Sequence, residues 1–165
     1  MTLPRLTRDE LTPEQAELYD TILSGPRAKG PFALQDADGG LTGPFGPMLH
    51  APGVGGPLQE LGAAVRFRTG LGDRVREIAI LSVAHATGSE FEQRAHETIA
   101  RSIGVTEEEL AAIADGTFTS GDPLETAAYA VGRGGPVPEG VDPRSTVELV
   151  VLAGYYRTLA QLMEA

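Results

Sequence analysis

RVREIAILSVAHATGSEFEQRAHETIARSIG, residues 74–104, decides the fold. It reads as two helices joined at Thr87-Gly88. In the first, Val75, Ile78, Ala79, Leu81, Ser82 and Ala86 are apolar or small on nearly every side, which marks a central helix. Asp73 is expected to cap it. Glu77 stands inside this apolar helix, and a buried carboxylate must be paired, hydrogen-bonded or protonated. The second helix is expected to start at Ser89 and run to about Ser102, with Gly104 as terminator. Glu77, His85, Glu92 and His96 make the hairpin the one dense group of proton-transfer residues in the chain.

Outward from the hairpin, boundary signals divide the chain into helices. Thr12-Pro13-Glu14-Gln15 combines an N-cap, proline at the first helical position and a capping-box glutamine. That helix should end at Gly25-Pro26, with Leu11, Leu18 and Ile22 on one face. Residues 24–56 hold many glycines and prolines without a sustained period and read as a long loop. Its apolar Phe45, Met48 and Leu49 suit either a loop anchored to the core or a lid. Pro57 opens the next helix, ending near Thr69-Gly70, with Arg66 and Arg68 complementing its dipole. Thr106-Glu107-Glu108-Glu109 is a second capping box, and Asp122-Pro123 starts a helix to about Val131. The last helix, capped near Asp142-Pro143 or Ser145, carries the stripe Leu149, Leu152, Ala153, Tyr156, Leu159 and Met163. No segment alternates with period two. The expectation is one all-α domain over 1–165, with about seven helices and a central hairpin at 74–103.

Composition narrows the function classes. The chain has 165 residues, 41% hydrophobic and 22% charged, which suits a globular domain with a real core. A net charge of -10 argues against nucleic acid and anionic membranes as partners. The longest apolar run, near 147–154, is interrupted by Glu148, and the N-terminus lacks a signal-peptide core, so the expected location is cytoplasmic. There is no cysteine. Disulfides, thiolate metal sites and thiol peroxidase chemistry are therefore excluded.

Ser89, Glu92 and His96 share one helical face at i, i+3 and i+7. A carboxylate beside a histidine fixes its tautomer and raises its basicity. With Glu77 facing the same gap, the set could relay protons. A structural reading stands beside it. Ser89-x-x-Glu92 is also a capping-box pattern, His96 could be satisfied by Glu92, and Glu77 could pair with Arg74 or Arg94. Glu77, Glu92 and His96 could supply ligands to a divalent ion, but no His-x-x-x-His pair supports a metal. No G-x-S-x-G elbow supports a serine hydrolase.

The run Arg76-Glu77 through Ala79-Ile80-Leu81-Ser82-Val83-Ala84 to Glu92-Gln93-Arg94-Ala95-His96 resembles the carboxymuconolactone decarboxylase family. Gly43-Pro44-Phe45, Met48-Leu49-His50-Ala51-Pro52, Glu148-Leu149 and Tyr155-Tyr156 add to the resemblance, which covers roughly 40–160. It implies an alkylhydroperoxidase D-like helical bundle assembled as a homotrimer, or as a hexamer of two trimers. In the thiol-bearing relatives a Cys-x-x-Cys-x-x-x-His motif would fall on Ser89, Glu92 and His96, with the relay glutamate at Glu77. Here both thiols are missing, which disfavours the peroxidase reaction. The resemblance then implies a cofactor-free lyase or isomerase acting on a small lactone or unsaturated carboxylic acid, with no metal. His96 would donate the proton, Glu92 would orient and tune it, and Glu77 would complete the relay. Among Arg66, Arg68, Arg74 and Arg94 one would seat a substrate carboxylate. Ser89, Gln93 and Tyr155, with His50 and Phe45 upstream, are the further candidate substrate-binding residues. A non-catalytic binding or scaffold protein of the same fold is the alternative.

Overall fold

Thr12 starts the first helix, α1 (Pro13–Ser24), through a reciprocal capping box: its hydroxyl accepts from the Gln15 N–H, and the Gln15 side chain accepts from the Thr12 N–H. The computed structural model describes residues 3–30 and 32–165, without the Lys29 side chain. Contacts divide the chain into two compact units, Met1–Phe67 with Gln161–Ala165, and Arg68–Ala160. Among the described residues there are eight α-helices, two short 3-10 turns and no strand beyond one isolated bridge, Gln35 to Leu41. The fold is all-α. None of its described helices is long and apolar enough to cross a membrane.

In the first unit, α1 buries Leu18, Tyr19 and Ile22. The Tyr19 hydroxyl donates to the Gly39 carbonyl at 2.8 Å. Asp36 closes the intervening turn by accepting from the Asp38 and Gly40 N–H groups, both at 3.0 Å.

The stretch read as a continuous loop over 24–56 is partly helical. Phe45–Met48 forms α2, and the next helix, α3 (Pro52–Phe67), starts at Pro52, which leaves Pro57 inside it. The helix also ends at Phe67, before Thr69-Gly70. The physical reason lies in the glycines. A Cβ on Gly55 would stand 2.3 Å from the Met48 carbonyl oxygen, so α3 can lie against α2 only with a bare backbone there. Glycines that punctuate a sequence as loop residues here allow close helix packing. Phe45, Met48 and Leu49 are buried, which makes this segment part of the core of its unit.

The second unit is built on α4 (Asp73–Thr87). Its residues from Glu77 to Ala84 are all buried. Gly72, not Asp73, is its N-cap; the Asp73 carboxylate instead accepts from Arg76. Gly88, in the left-handed region at φ 72°, ends α4. The Ser89 N–H then bonds back to the Ala84 carbonyl at 2.9 Å. This tight turn folds α5 (Glu90–Ser102) back along α4. Thr106 and Glu109 form the expected capping box at the start of α6 (Glu107–Asp115), and Asp122 caps α7 (Pro123–Gly132). Helix α7 packs closely on α4 at Gly132, where a Cβ would meet the Ser82 Cβ at 2.5 Å and the Ala79 carbonyl oxygen at 2.7 Å. Ser82 keeps its own hydroxyl satisfied on the Ile78 carbonyl.

Two arginines lace this unit together. Arg74 on α4 donates to Glu125 on α7 at 2.6 Å, to Glu109 on α6 and to the Gly104 carbonyl. Arg157, on the long last helix α8 (Pro143–Glu164), donates to the Val131 and Gly132 carbonyls that end α7, at 3.0 and 2.8 Å. Leu149, Leu152, Ala153, Tyr156 and Leu159 of the expected stripe are buried, while Met163 is half-buried.

Candidate active site

An apolar α4 and an amphipathic α5 leave room for few polar groups between them, and those present are concentrated. Glu77, Glu92 and His96 are 0%, 4% and 4% exposed. The Glu77 carboxylate Oε2 lies 2.5 Å from His96 Nδ1, and Glu92 Oε2 lies 3.3 Å from His96 Nε2. The imidazole is thus held between two carboxylates, tightly from α4 and more loosely from one turn earlier on α5. The Tyr156 ring meets it edge to face, with centroids 5.2 Å apart, and Tyr155 meets Tyr156 in the same way. Packing and charge together fix the ring plane.

Counting hydrogens defines what this set can do. A neutral imidazole carries one N–H and an imidazolium two. Two carboxylate contacts on opposite ring nitrogens are met by an imidazolium between two carboxylates, or by a neutral ring with one carboxyl protonated. These two states differ only in where one proton resides, which is the property of a relay.

The Ser89-Glu92 capping box does not form. Ser89 occupies the N-cap position, but its side chain makes no cap bond, and the Glu92 carboxylate faces His96. Nor does Glu77 pair with Arg74 or Arg94. Arg74 is engaged by Glu109 and Glu125, and Arg94 pairs with Glu90 on the surface, its side chain 73% exposed. Gln93 is half-buried and donates to the Ala84 carbonyl at 3.1 Å, tying the start of α5 to α4. Tyr155 is buried beside Tyr156. His85 faces other groups: burial pushes its imidazole below the ordinary value, with Glu97 opposing and Arg133 reinforcing the shift.

His50 and Phe45 belong to the first unit. His50 Nε2 lies 2.8 Å from the Pro4 carbonyl oxygen, and Phe45 carries the Arg27 guanidinium over its ring at 5.3 Å. The pocket beside His50 is small, about 150 Å³, and is lined by Pro4, Arg5, Leu41 and Pro47 among others. Arg66, also in that unit, stacks on Phe67.

Arg76 is not one of the arginines that the sequence marks as carboxylate-seating candidates, yet its guanidinium reaches the set. Its Nε lies 4.0 Å from Glu77 Oε1. Adjacent positions on a helix diverge by about 100°, so spacing steers attention away from it. The one available signal was the Arg76-Glu77 dipeptide itself.

Among the described residues, no group of three His, Asp or Glu side chains is arranged to hold a metal ion. A helical domain with a buried carboxylate–imidazole–carboxylate set and no thiol is thus defined. Residues 52–133 match the model of the carboxymuconolactone decarboxylase family, and the chain belongs to that family through this domain. No curated protein matches the chain.

Proposed function

We propose that the protein is a cofactor-free lyase or isomerase acting on a small lactone or unsaturated carboxylic acid. The observation that carries this reading is the His96 imidazole held between the buried carboxylates of Glu77 and Glu92. When a carboxylate is lost from an unsaturated lactone, the C–C bond breaks, CO2 leaves and the electron pair spreads into the conjugated ring. A proton must then arrive at carbon. His96 supplies it from the Nε2 side, where Glu92 stands at the looser distance and can exchange protons with the ring. Glu77, on the tighter contact, orients the imidazole and stabilises its charged form. General acid–base catalysis of this kind contributes about 10²–10⁴ in rate.

The test is turnover of a panel of small lactones and unsaturated acids by the purified protein, with His96→Ala as control. Activity should fall to background in the variant while far-ultraviolet circular dichroism is unchanged. Turnover equal to the native protein's would sink the assignment. With no cysteine in the chain, a thiol-based peroxidase reading has no redox group to stand on.

Assembly as a homotrimer or a dimer of trimers is part of the same reading. Val147, Val150 and Val151 form a row at i, i+3 and i+4 on α8, 61%, 49% and 37% exposed. An apolar row of this kind suits a protein contact. Analytical ultracentrifugation should find trimers or hexamers in the native protein and smaller species in Val150→Lys. A native monomer would remove this part of the proposal.

A further inference from the structure

We propose that Arg76 is the positioning residue that sets where the relay proton resides, by keeping Glu77 in its carboxylate form. This inference rests on the relay reading above and deepens it.

Two buried polar atoms in the second unit stand without a hydrogen-bond partner although they are near neighbours: Glu77 Oε1 and Arg76 Nε. They are 4.0 Å apart, too far for a direct hydrogen bond and close enough for strong charge attraction or a shared bridging water. An unpaired buried carboxylate oxygen is costly, and so is an unpaired buried guanidinium N–H, so the two explain one another. The rest of the guanidinium is anchored outward: one terminal nitrogen donates to Asp73 and the other to the Leu71 carbonyl at 3.4 Å. These anchors leave Nε–H as the edge aimed inward. The Arg76 side chain is only 13% exposed, so solvent screens it weakly.

Charged and titratable groups among the described residues approach Glu77 from several elements. From α5 come His96, in direct contact, and Glu92 beyond the ring; from α8 comes Tyr156, against the ring. The α6 and α7 carboxylates Glu109 and Glu125 are engaged by Arg74. Arg76 on α4 is thus a cation placed to offset the extra negative charge of two carboxylates around one imidazolium. With Arg76 present, the proton between Glu77 Oε2 and His96 Nδ1 sits on the ring. Without it, that proton moves to the carboxyl, and the ring becomes a neutral base instead of a proton donor.

The test is nuclear magnetic resonance of the full-length protein at neutral pH, reading the Glu77 carboxyl carbon and the His96 ring nitrogens. Signals are assigned by difference against Glu77→Gln and His96→Ala. In the native protein Glu77 should show a carboxylate shift and His96 two protonated nitrogens. In Arg76→Gln the partition of the proton between Nδ1 and Oε2 should move by about tenfold toward Glu77, equivalent to one pH unit. Arg76→Lys, which keeps the cation, should restore most of the native pattern. A structural Arg76 would lower the melting temperature and leave both sets of signals unmoved, and that result overturns the proposal. A neutral Glu77 in the native protein overturns it as well, and does not depend on the Arg76 variants folding. These readouts do not use turnover, so a positive result here beside an inactive native enzyme would fail the relay reading alone.

Discussion

Replacing Glu77 with glutamine is expected to lower turnover by about 10²–10⁴-fold, the range of a lost acid–base contribution. The amide has the same shape, so its oxygen can still accept from His96 Nδ1. What it lacks is the charge that stabilises the imidazolium. The melting temperature should fall by only about 2–4 °C, as for the loss of roughly 1 kcal/mol in a chain of this size. The competing reading, a core ion pair in a binding or scaffold protein, gives the opposite result. Breaking a buried pair costs about 3–5 kcal/mol, which would lower the melting temperature by about 6–20 °C. Calorimetry and a turnover assay on the same preparation separate the two. A large thermal shift with intact turnover would end the relay proposal.

Replacing Arg74 with methionine is expected to give the largest loss of stability. The guanidinium joins α4 to α6 and α7, and its removal leaves Glu125 buried with only the Ser120 hydroxyl donating to it, at 2.7 Å. The expected cost is about 2–3 kcal/mol, between the values for exposed and fully buried pairs because Arg74 keeps partial contact with water. That corresponds to a fall of about 5–10 °C. The effect should depend on pH with a defined sign. The Arg74 hydrogen bond holds Glu109 below its ordinary value of 4.5, with burial opposing it. The folded state therefore binds this proton less readily than the unfolded state. The stabilisation is present above pH 4.5 and is lost as pH falls through the lower folded value. Denaturation curves of native protein and variant should converge on acidification below pH 4.5. A constant difference down to the acid transition would show that Glu109 does not carry it.

Much of the architecture could be read from the sequence because its helix ends carry local chemistry. Thr12 with Gln15, Thr106 with Glu109, and Asp122 before Pro123 each satisfy orphan N–H groups through a side chain a few residues away. Local signals failed where a distant group competed. Ser89 and Glu92 have capping-box spacing, but Glu92 is drawn to an imidazole one turn further on, and the cap is not made. Pro57 looks like a helix start, yet α3 begins a turn and a half earlier because Gly55 can approach the Met48 carbonyl. Within the site, Glu77 was visible as a carboxylate in an apolar helix, and His96 as its complement on the next. The carboxylate that holds the ring tightly is Glu77, across the hairpin, and periodicity along α5 alone points only to Glu92. Helical spacing does not mark Arg76 as a partner of Glu77, since a flexible four-atom stem can bend toward a neighbour that helical geometry places elsewhere.

The Gly88 turn has a consequence for how this site comes into being. The Glu77–His96 contact spans 19 residues, whereas Arg74–Glu125 spans 51. Closing a short loop costs less chain entropy, and sequence-local contacts form early in folding. Glu77 and His96 can thus meet as soon as one hairpin has emerged from synthesis, before α7 exists to be laced to it. Lengthening or shortening the loops after α5 leaves their register untouched. The candidate site is written as one contiguous phrase of the chain, and the later helices supply its shelter.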